Sequence, residues 1–274
     1  MRPRILSHLL AAVFCLTLAS DVRADPVYVS RVFSHFGTVD LLTGAYTDIA
    51  TTSVQLNALT FASNGTLYGI GSDNHLYTVN TTTGALTDVG NTGSFFALNS
   101  LAAGSNGKLF GEDPFGNLFS IDPQTGKATE VGPANEFGLH PTGTLAFGPG
   151  DMLFTDISFF GDFLNTQDQS NGMATKVGST ALDINFPGGL FFDNGQAFAF
   201  GFFGELFSIN TGTGTANSTG VTISCGFGPV LGAAAGPAEN VVPEPSGFVL
   251  FLSALALSGG AWRLAPRRRP QQAA

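Results

Sequence analysis

Eight residues of this 274-residue chain have side chains that could do chemistry and fall at comparable places along it: Asp73, His75, Glu112, Asp113, Asp156, Phe159, Phe160 and Asp162. Carboxylates grouped with asparagines and backbone carbonyls are what Ca²⁺ takes as ligands, and aromatic faces beside polar acceptors suit sugar rings. Three or more of Asp73, Glu112, Asp113, Asp156 and Asp162 on one metal ion would instead make a metal-dependent hydrolase or lactonase. Against a built metal site, no Asp-x-Asp-x-Asp-Gly loop is present and the acids come singly. His75 follows Asp73 by two, so the two could form a base and its partner or only a local ion pair.

Other chemistries find less support. His35, His75 and His140 lack metal-ligand spacing, and no Gly-x-Ser-x-Gly elbow occurs. Glycine-rich strings at 65–71 and 201–204 lack the strand-to-helix setting of a phosphate loop and are assigned to turns. Cys15 lies near the start of the chain, so Cys225 has no disulfide partner in the rest and reads as a small buried hydrophobe. Residues 25–242 carry four basic against 18 acidic residues, a net charge of −14, which repels phosphate backbones and excludes nucleic acid as a partner.

The elements that would position the eight residues are set by a repeat. Leu59-Thr60-Phe61-Ala62, Leu101-Ala102-Ala103-Gly104, Leu145-Ala146-Phe147-Gly148 and Leu190-Phe191-Phe192-Asp193 begin 42, 44 and 45 residues apart. In each unit a tight turn follows (Asn64-Gly65, Asn106-Gly107 and Asn194-Gly195 suit type I′ hairpins), then two strands and a turn ending in Gly84, Gly126, Gly172 or Gly214. A final strand closes the unit, which predicts four short strands per repeat. Residues 27–50 supply strands two to four of a further unit, and 230–235 resemble the missing first strand. Joined, they would make a fifth sheet and leave no exposed edge.

Four-stranded units of this length resemble the blades of bacterial β-propellers, in particular those with an Asp-Pro-x-Thr-Gly outer turn, matched by Asp122 to Gly126. The expected fold is all-β, a five-bladed propeller over residues 25–236. The resemblance implies that ligands meet the face built by the second-to-third-strand loops and the blade connections. That face would gather the eight residues, with Glu136, His140 and Asp183, onto one rim, where Ca²⁺ is the ion the acids could hold. Phe95-Phe96, Phe137, Phe186 and Phe227 precede successive first strands, so they are expected in the core; Phe159 and Phe160 do not recur and are better candidates for a contact patch.

Both ends of the chain read as addresses. A basic start, an apolar run at 5–18 and Val22-Arg23-Ala24 make residues 1–24 a signal peptide cut between Ala24 and Asp25. At the other end a linker (237–246) holds Val242-Pro243-Glu244-Pro245; an apolar span (247–264) and a tail (265–274) with Arg267, Arg268 and Arg269 follow. Arginines last would leave the tail in the cytoplasm and the body outside. This order resembles the PEP-CTERM sorting signal of Gram-negative bacteria that make extracellular polysaccharide. The resemblance implies processing by signal peptidase and exosortase, transient anchoring in the inner membrane, and a destination at the cell surface or matrix. The function expected is non-catalytic binding of extracellular polysaccharide or a surface protein; a structural matrix component is the other non-enzymatic reading.

Overall fold

The computed structural model describes residues 26–133, 144–157, 163–180, 188–201, 203–224 and 229–236. The proposed cleavage site, the Val242 to Pro245 motif, the 247–264 span and Arg267 to Arg269 lie outside them, as do Glu136, His140, Phe159, Phe160, Asp162 and Asp183. Among the described residues no helix is long and apolar enough to cross a membrane.

Among the described residues twenty strands form five four-stranded antiparallel sheets. The closing blade contains β1 (Val27–Arg31), β2 (His35–Val39) and β3 (Tyr46–Thr51). The second blade is β4 (Leu56–Phe61), β5 (Leu67–Gly71), β6 (His75–Val79) and β7 (Leu86–Asn91), and the third is β8 (Ser100–Ala103), β9 (Leu109–Glu112), β10 (Asn117–Ile121) and β11 (Ala128–Pro133). The fourth is β12 (Leu145–Phe147), β13 (Leu153–Ile157), β14 (Phe163–Gln167) and β15 (Ala174–Ser179); the fifth is β16 (Leu190–Asp193), β17 (Gln196–Phe200), β18 (Glu205–Ile209) and β19 (Ala216–Thr222). Last comes β20 (Val230–Ala235), which pairs antiparallel with β1 from Val27↔Ala235 to Arg31↔Val230. The five-bladed ring and its mode of closure agree with the sequence expectation.

The inner strands are covered on both faces and read as nearly continuous apolar runs, as in β5 and β9, whereas the outer strands β3, β7, β11 and β15 are largely exposed. Five apolar clusters result, one at each junction between neighbouring blades, for example Ala58, Ile70 and Leu76 of the second blade against Leu98, Leu101 and Leu109 of the third. Phe36, Phe154 and Phe200 are among the largest side chains sealed in these junctions, each stabilising by about 1.5–3 kcal/mol through burial.

The outer turn is built alike in all five blades. The carbonyls of Asp40, Asn80, Asp122, Asp168 and Asn210 each accept an N–H bond of 2.8 Å from the glycine four residues on, and their side chains accept from the amide two residues on. Turn hydrogen bonds hold these carboxyls below the usual range: the Thr43 and Leu42 amides for Asp40, the Gln124 amide for Asp122, and the Ser170 hydroxyl followed by its amide for Asp168. Gly126 sits at φ +74°, and a Cβ there would overlap the Gly90 carbonyl oxygen of the preceding blade. Gly126→Ala is therefore expected to lower stability by roughly 2–4 kcal/mol, through left-handed backbone cost plus forced separation of two blades. Urea unfolding checks this, and a loss under about 0.5 kcal/mol would contradict the interlock.

One turn expectation is corrected. Only Asn194-Gly195 has both residues at positive φ (47° and 80°), the type I′ pattern. At Asn64-Gly65 and Asn106-Gly107 only the glycine is left-handed, and the asparagine Oδ1 instead accepts the N–H of Thr66 or Lys108. These are three-residue loops with glycine in the bulge position.

Candidate functional site

Chain direction fixes what lies on each face of the ring. Strands β5, β9, β13 and β17 run toward the face bearing the second-to-third-strand loops and blade connections; the described chain begins at Pro26 and ends at Gly236 on the opposite face, where Gly236 N–H donates to Pro26 O at 3.2 Å.

On the loop face an aromatic cluster stands clear of the core. Phe95 and Phe96, from the β7–β8 connection, are 92% and 41% exposed, and Phe115, from the β9–β10 loop, is 40% exposed. Ring centroids are 4.7 Å apart for Phe95 and Phe96 and 4.6 Å for Phe96 and Phe115, so one patch bridges two blades. This corrects the expectation that Phe95 and Phe96 pack between blades: Leu98 takes the buried place, at 0% exposure. Phe137, Phe186 and Phe227 lie outside the described residues. Phe33 (75% exposed, φ 61°) and Phe203 (77%) rise from the equivalent loops of the closing and fifth blades. A bulky residue held left-handed at the surface is a strained arrangement that packing alone does not call for.

The patch is braced from below. Asn74, itself at φ 66°, donates through Nδ2 to Ser94 O at 2.9 Å, and its Oδ1 accepts from Thr92 Oγ1 at 2.6 Å. Ser94 Oγ donates to Phe96 O at 2.8 Å, and Asp113 Oδ1 accepts from Phe115 N–H at 2.9 Å. The rings therefore sit on loops whose backbone is already fixed, which lowers the entropy lost on binding.

Among the described residues the rim acids do not converge. Asp73 is exposed, but its carboxylate accepts from the Tyr77 hydroxyl at 2.6 Å and from His75 N–H at 3.3 Å; burial and that carboxylate push the Tyr77 phenol well above its ordinary value. The His75 ring pairs instead with Asp88 across the sheet at 3.0 Å, which corrects the expected Asp73 to His75 ion pair. His35 and Asp48 make the same contact in the closing blade at 3.1 Å, so the pair is a repeat feature. Asp113 is buried and caps its own loop, accepting from Asn117 N–H and Nδ2. Asp156 lies in β13 opposite Leu164.

Glu112 departs furthest from the rim expectation. It is 1% exposed and spans the junction of the third and fourth blades, accepting from Gln167 Nε2 at 2.8 Å and Thr155 Oγ1 at 3.2 Å. Burial pushes its carboxyl up to about 8, so at neutral pH it is mostly a neutral acid sealed from ligands. No three His, Cys, Asp or Glu side chains among the described residues are grouped to hold a metal. Of the Ca²⁺ candidates, Glu112 and Asp113 are buried in structural bonds, and Asp162 lies outside the described residues.

The central channel offers no alternative. Leu59, Leu101, Leu145, Leu190 and Ala233 surround it, each at most 4% exposed, so apolar side chains close it. Larger spaces lie at the outside: a groove of about 630 Å³ at the junction of the third and fourth blades, and one of about 340 Å³ on the fifth.

No family model matches the chain, and no curated protein matches it. Among solved structures it is similar to a structural genomics protein of unknown function from Bacteroides thetaiotaomicron VPI-5482, with a TM-score of 0.53 and 14% identity over 74% of this chain and 59% of that one. The chain thus spans about 59% of that protein's length. Virginiamycin B lyase from Staphylococcus aureus is similar at TM-score 0.47 and 16% identity, over 73% of this chain and 71% of that one. A catalytically inactive form of that lyase with quinupristin gives 0.47 and 11%, over 72% and 69%. The likeness at 0.53 shows the fold alone, and those at 0.47 carry nothing over to this chain.

Proposed function

We propose that this propeller is an exported, envelope-sorted binding protein without catalytic activity, and that its exposed phenylalanine patch holds a surface polysaccharide. The observation that carries the reading is the braced cluster of Phe95, Phe96 and Phe115, three rings on one face with amide and hydroxyl groups of Asn74 and Ser94 beneath them. Aromatic faces take the C–H surfaces of sugar rings, and fixed polar neighbours set their orientation. The terminal segments supply the export and sorting part of the proposal, through the Ala24 to Asp25 cut and the Val242 to Pro245 motif. Since the described chain begins and ends on the face opposite the patch, a body held by its C-terminal end could still offer the rings to a ligand.

Isothermal titration of the purified chain with the producing organism's own exopolysaccharide tests the binding part. Phe96→Ala is expected to weaken affinity roughly tenfold, the equivalent of about 1.4 kcal/mol. Phe95→Ala, at a ring 92% exposed, should weaken binding without shifting the melting temperature. No saturable binding by the wild-type chain, or an affinity of both variants equal to that of the wild type, would remove the reading. Mass spectrometry of envelope protein with and without exosortase tests the sorting part, which requires loss of the 247–264 span only when the protease is present.

A further inference from the structure

Residues 25–242 contain four cationic side chains, and two of them lie against aromatic rings. The Arg31 guanidinium is 5.1 Å from the Tyr46 ring centroid, and Lys176 Nζ is 3.4 Å from that of Phe163. The other two, Lys108 and Lys127, line the same groove of about 630 Å³ at the junction of the third and fourth blades. Neither makes an ion pair among the described residues.

The repeat provides an internal control. Lys108 corresponds to Thr66, Met152 and Gln196 in the other blades, and Lys127 to Ala45, Ala85, Met173 and Thr215. The groove of the fifth blade, about 340 Å³, is lined by Gln196 where the third has Lys108. A blade therefore folds without a cation at either place. Two unpaired ammonium groups brought onto one groove of a domain with net charge −14 are a departure that folding does not require.

The remaining lining narrows the ligand. Asp122 turns its carboxylate onto its own turn, accepting from Gln124 N–H at 2.8 Å; Ser120 and Thr129 pair on the blade face that turns to the fourth blade, Ser170 joins them from that blade, and the Ser120 and Ser170 hydroxyls donate to Thr129 O and Asp168 Oδ1, while Glu130, paired with Phe119, lies on the other face. Two ammonium groups beside the single carboxylate of Asp122 leave one positive charge to be met, and the hydroxyls suit a polyhydroxylated ligand that donates to them. We propose that this groove binds a uronic acid unit of an acidic polysaccharide, its carboxylate between Lys108 and Lys127 and its hydroxyls toward the serine and threonine side chains. The inference rests on the reading of the protein as glycan-binding, but on a different surface from the phenylalanine patch.

The test uses the full-length chain in detergent, titrated with oligogalacturonate, with the same oligomer fully methyl-esterified, and with inorganic phosphate as competitor. Oligogalacturonate is expected to bind at least tenfold more tightly than the ester at low salt, with the preference fading as salt rises. Lys108→Gln with Lys127→Gln should abolish the preference at an unchanged melting temperature, and Lys176→Gln should leave it intact. Equal binding of acid and ester, an unaffected double variant, or displacement by equimolar phosphate would each overturn the site. A Phe96-dependent affinity for the native polysaccharide without uronate preference would overturn this site alone and leave the earlier reading standing.

Discussion

A chain ending at residue 228 is expected to lose cooperative folding altogether, not merely the share of one strand. Strand β20 is the only partner β1 has on that side, and it forms the fifth wall of the channel, with Val230, Ala233 and Ala234 at 3–4% exposure. Its removal would turn β1 into an open edge and uncover Val27 and Val29, both now at 0%. Three valines at about 1.5–3 kcal/mol each reach the lower part of the 5–15 kcal/mol by which domains are stable. Size-exclusion chromatography and far-UV melting of chains ending at 236 and at 228 provide the measurement. The shorter chain should aggregate or melt without a sharp transition, and Ala233→Arg should do nearly the same at full length. An unchanged two-state melt in the shorter chain would mean that the ring does not depend on its closure.

That closure could be read in advance because the repeat is incomplete at both ends in complementary ways. Residues 27–50 have the outer turn of Asp40 and Gly44 but no first strand, and Val230 to Ala235 has small and aliphatic residues with nothing after it. Geometry leaves one economical use for both pieces. Turn types were less legible, because Asn-Gly is compatible with two-residue and three-residue loops. The flanking ladder decides between them: Asp193↔Gln196 leaves two residues in the loop, whereas Phe61↔Leu67 leaves room for three plus a pair that closes through Ala62.

The site was legible only in its location. Recurrence of Phe before each first strand suggested packing, yet in the second-to-third connection Leu98 takes the core position and the pair Phe95-Phe96, after Gly93 and Ser94, is carried outward. Two consecutive aromatics in a loop already satisfied by a buried leucine were the available signal. For the acids, sequence placed Asp73, Glu112 and Asp113 together because all fall near one loop position. A shift of one residue along a strand changes the blade face on which a side chain emerges. Glu112, the last residue of β9, therefore enters the junction with the fourth blade, while Asp113 begins the loop and caps it.

That buried carboxyl carries a large expected effect. The folded chain holds at about 8 a proton that an unfolded chain releases near 4.5, so between those values the folded state binds more protons. Stability therefore falls as pH rises through that window and levels off above about 8. At about 1.4 kcal/mol for each pH unit of the window, the full loss is on the order of 5 kcal/mol. Glu112→Gln keeps an acceptor for Gln167 Nε2, offers an N–H to Thr155 Oγ1 and has no charge to bury. It should match the wild type near pH 4.5, melt roughly 8–16 °C higher at pH 8, and show no slope between. Glu112→Ala should be less stable than Glu112→Gln at every pH, because it leaves one N–H of the Gln167 amide, whose other N–H goes to Gly172 O, without an acceptor in a sealed junction. Thermal melts of the three chains from pH 4 to 9 decide the matter: a flat wild-type profile together with an unshifted Glu112→Gln at pH 8 would show that no proton is held there.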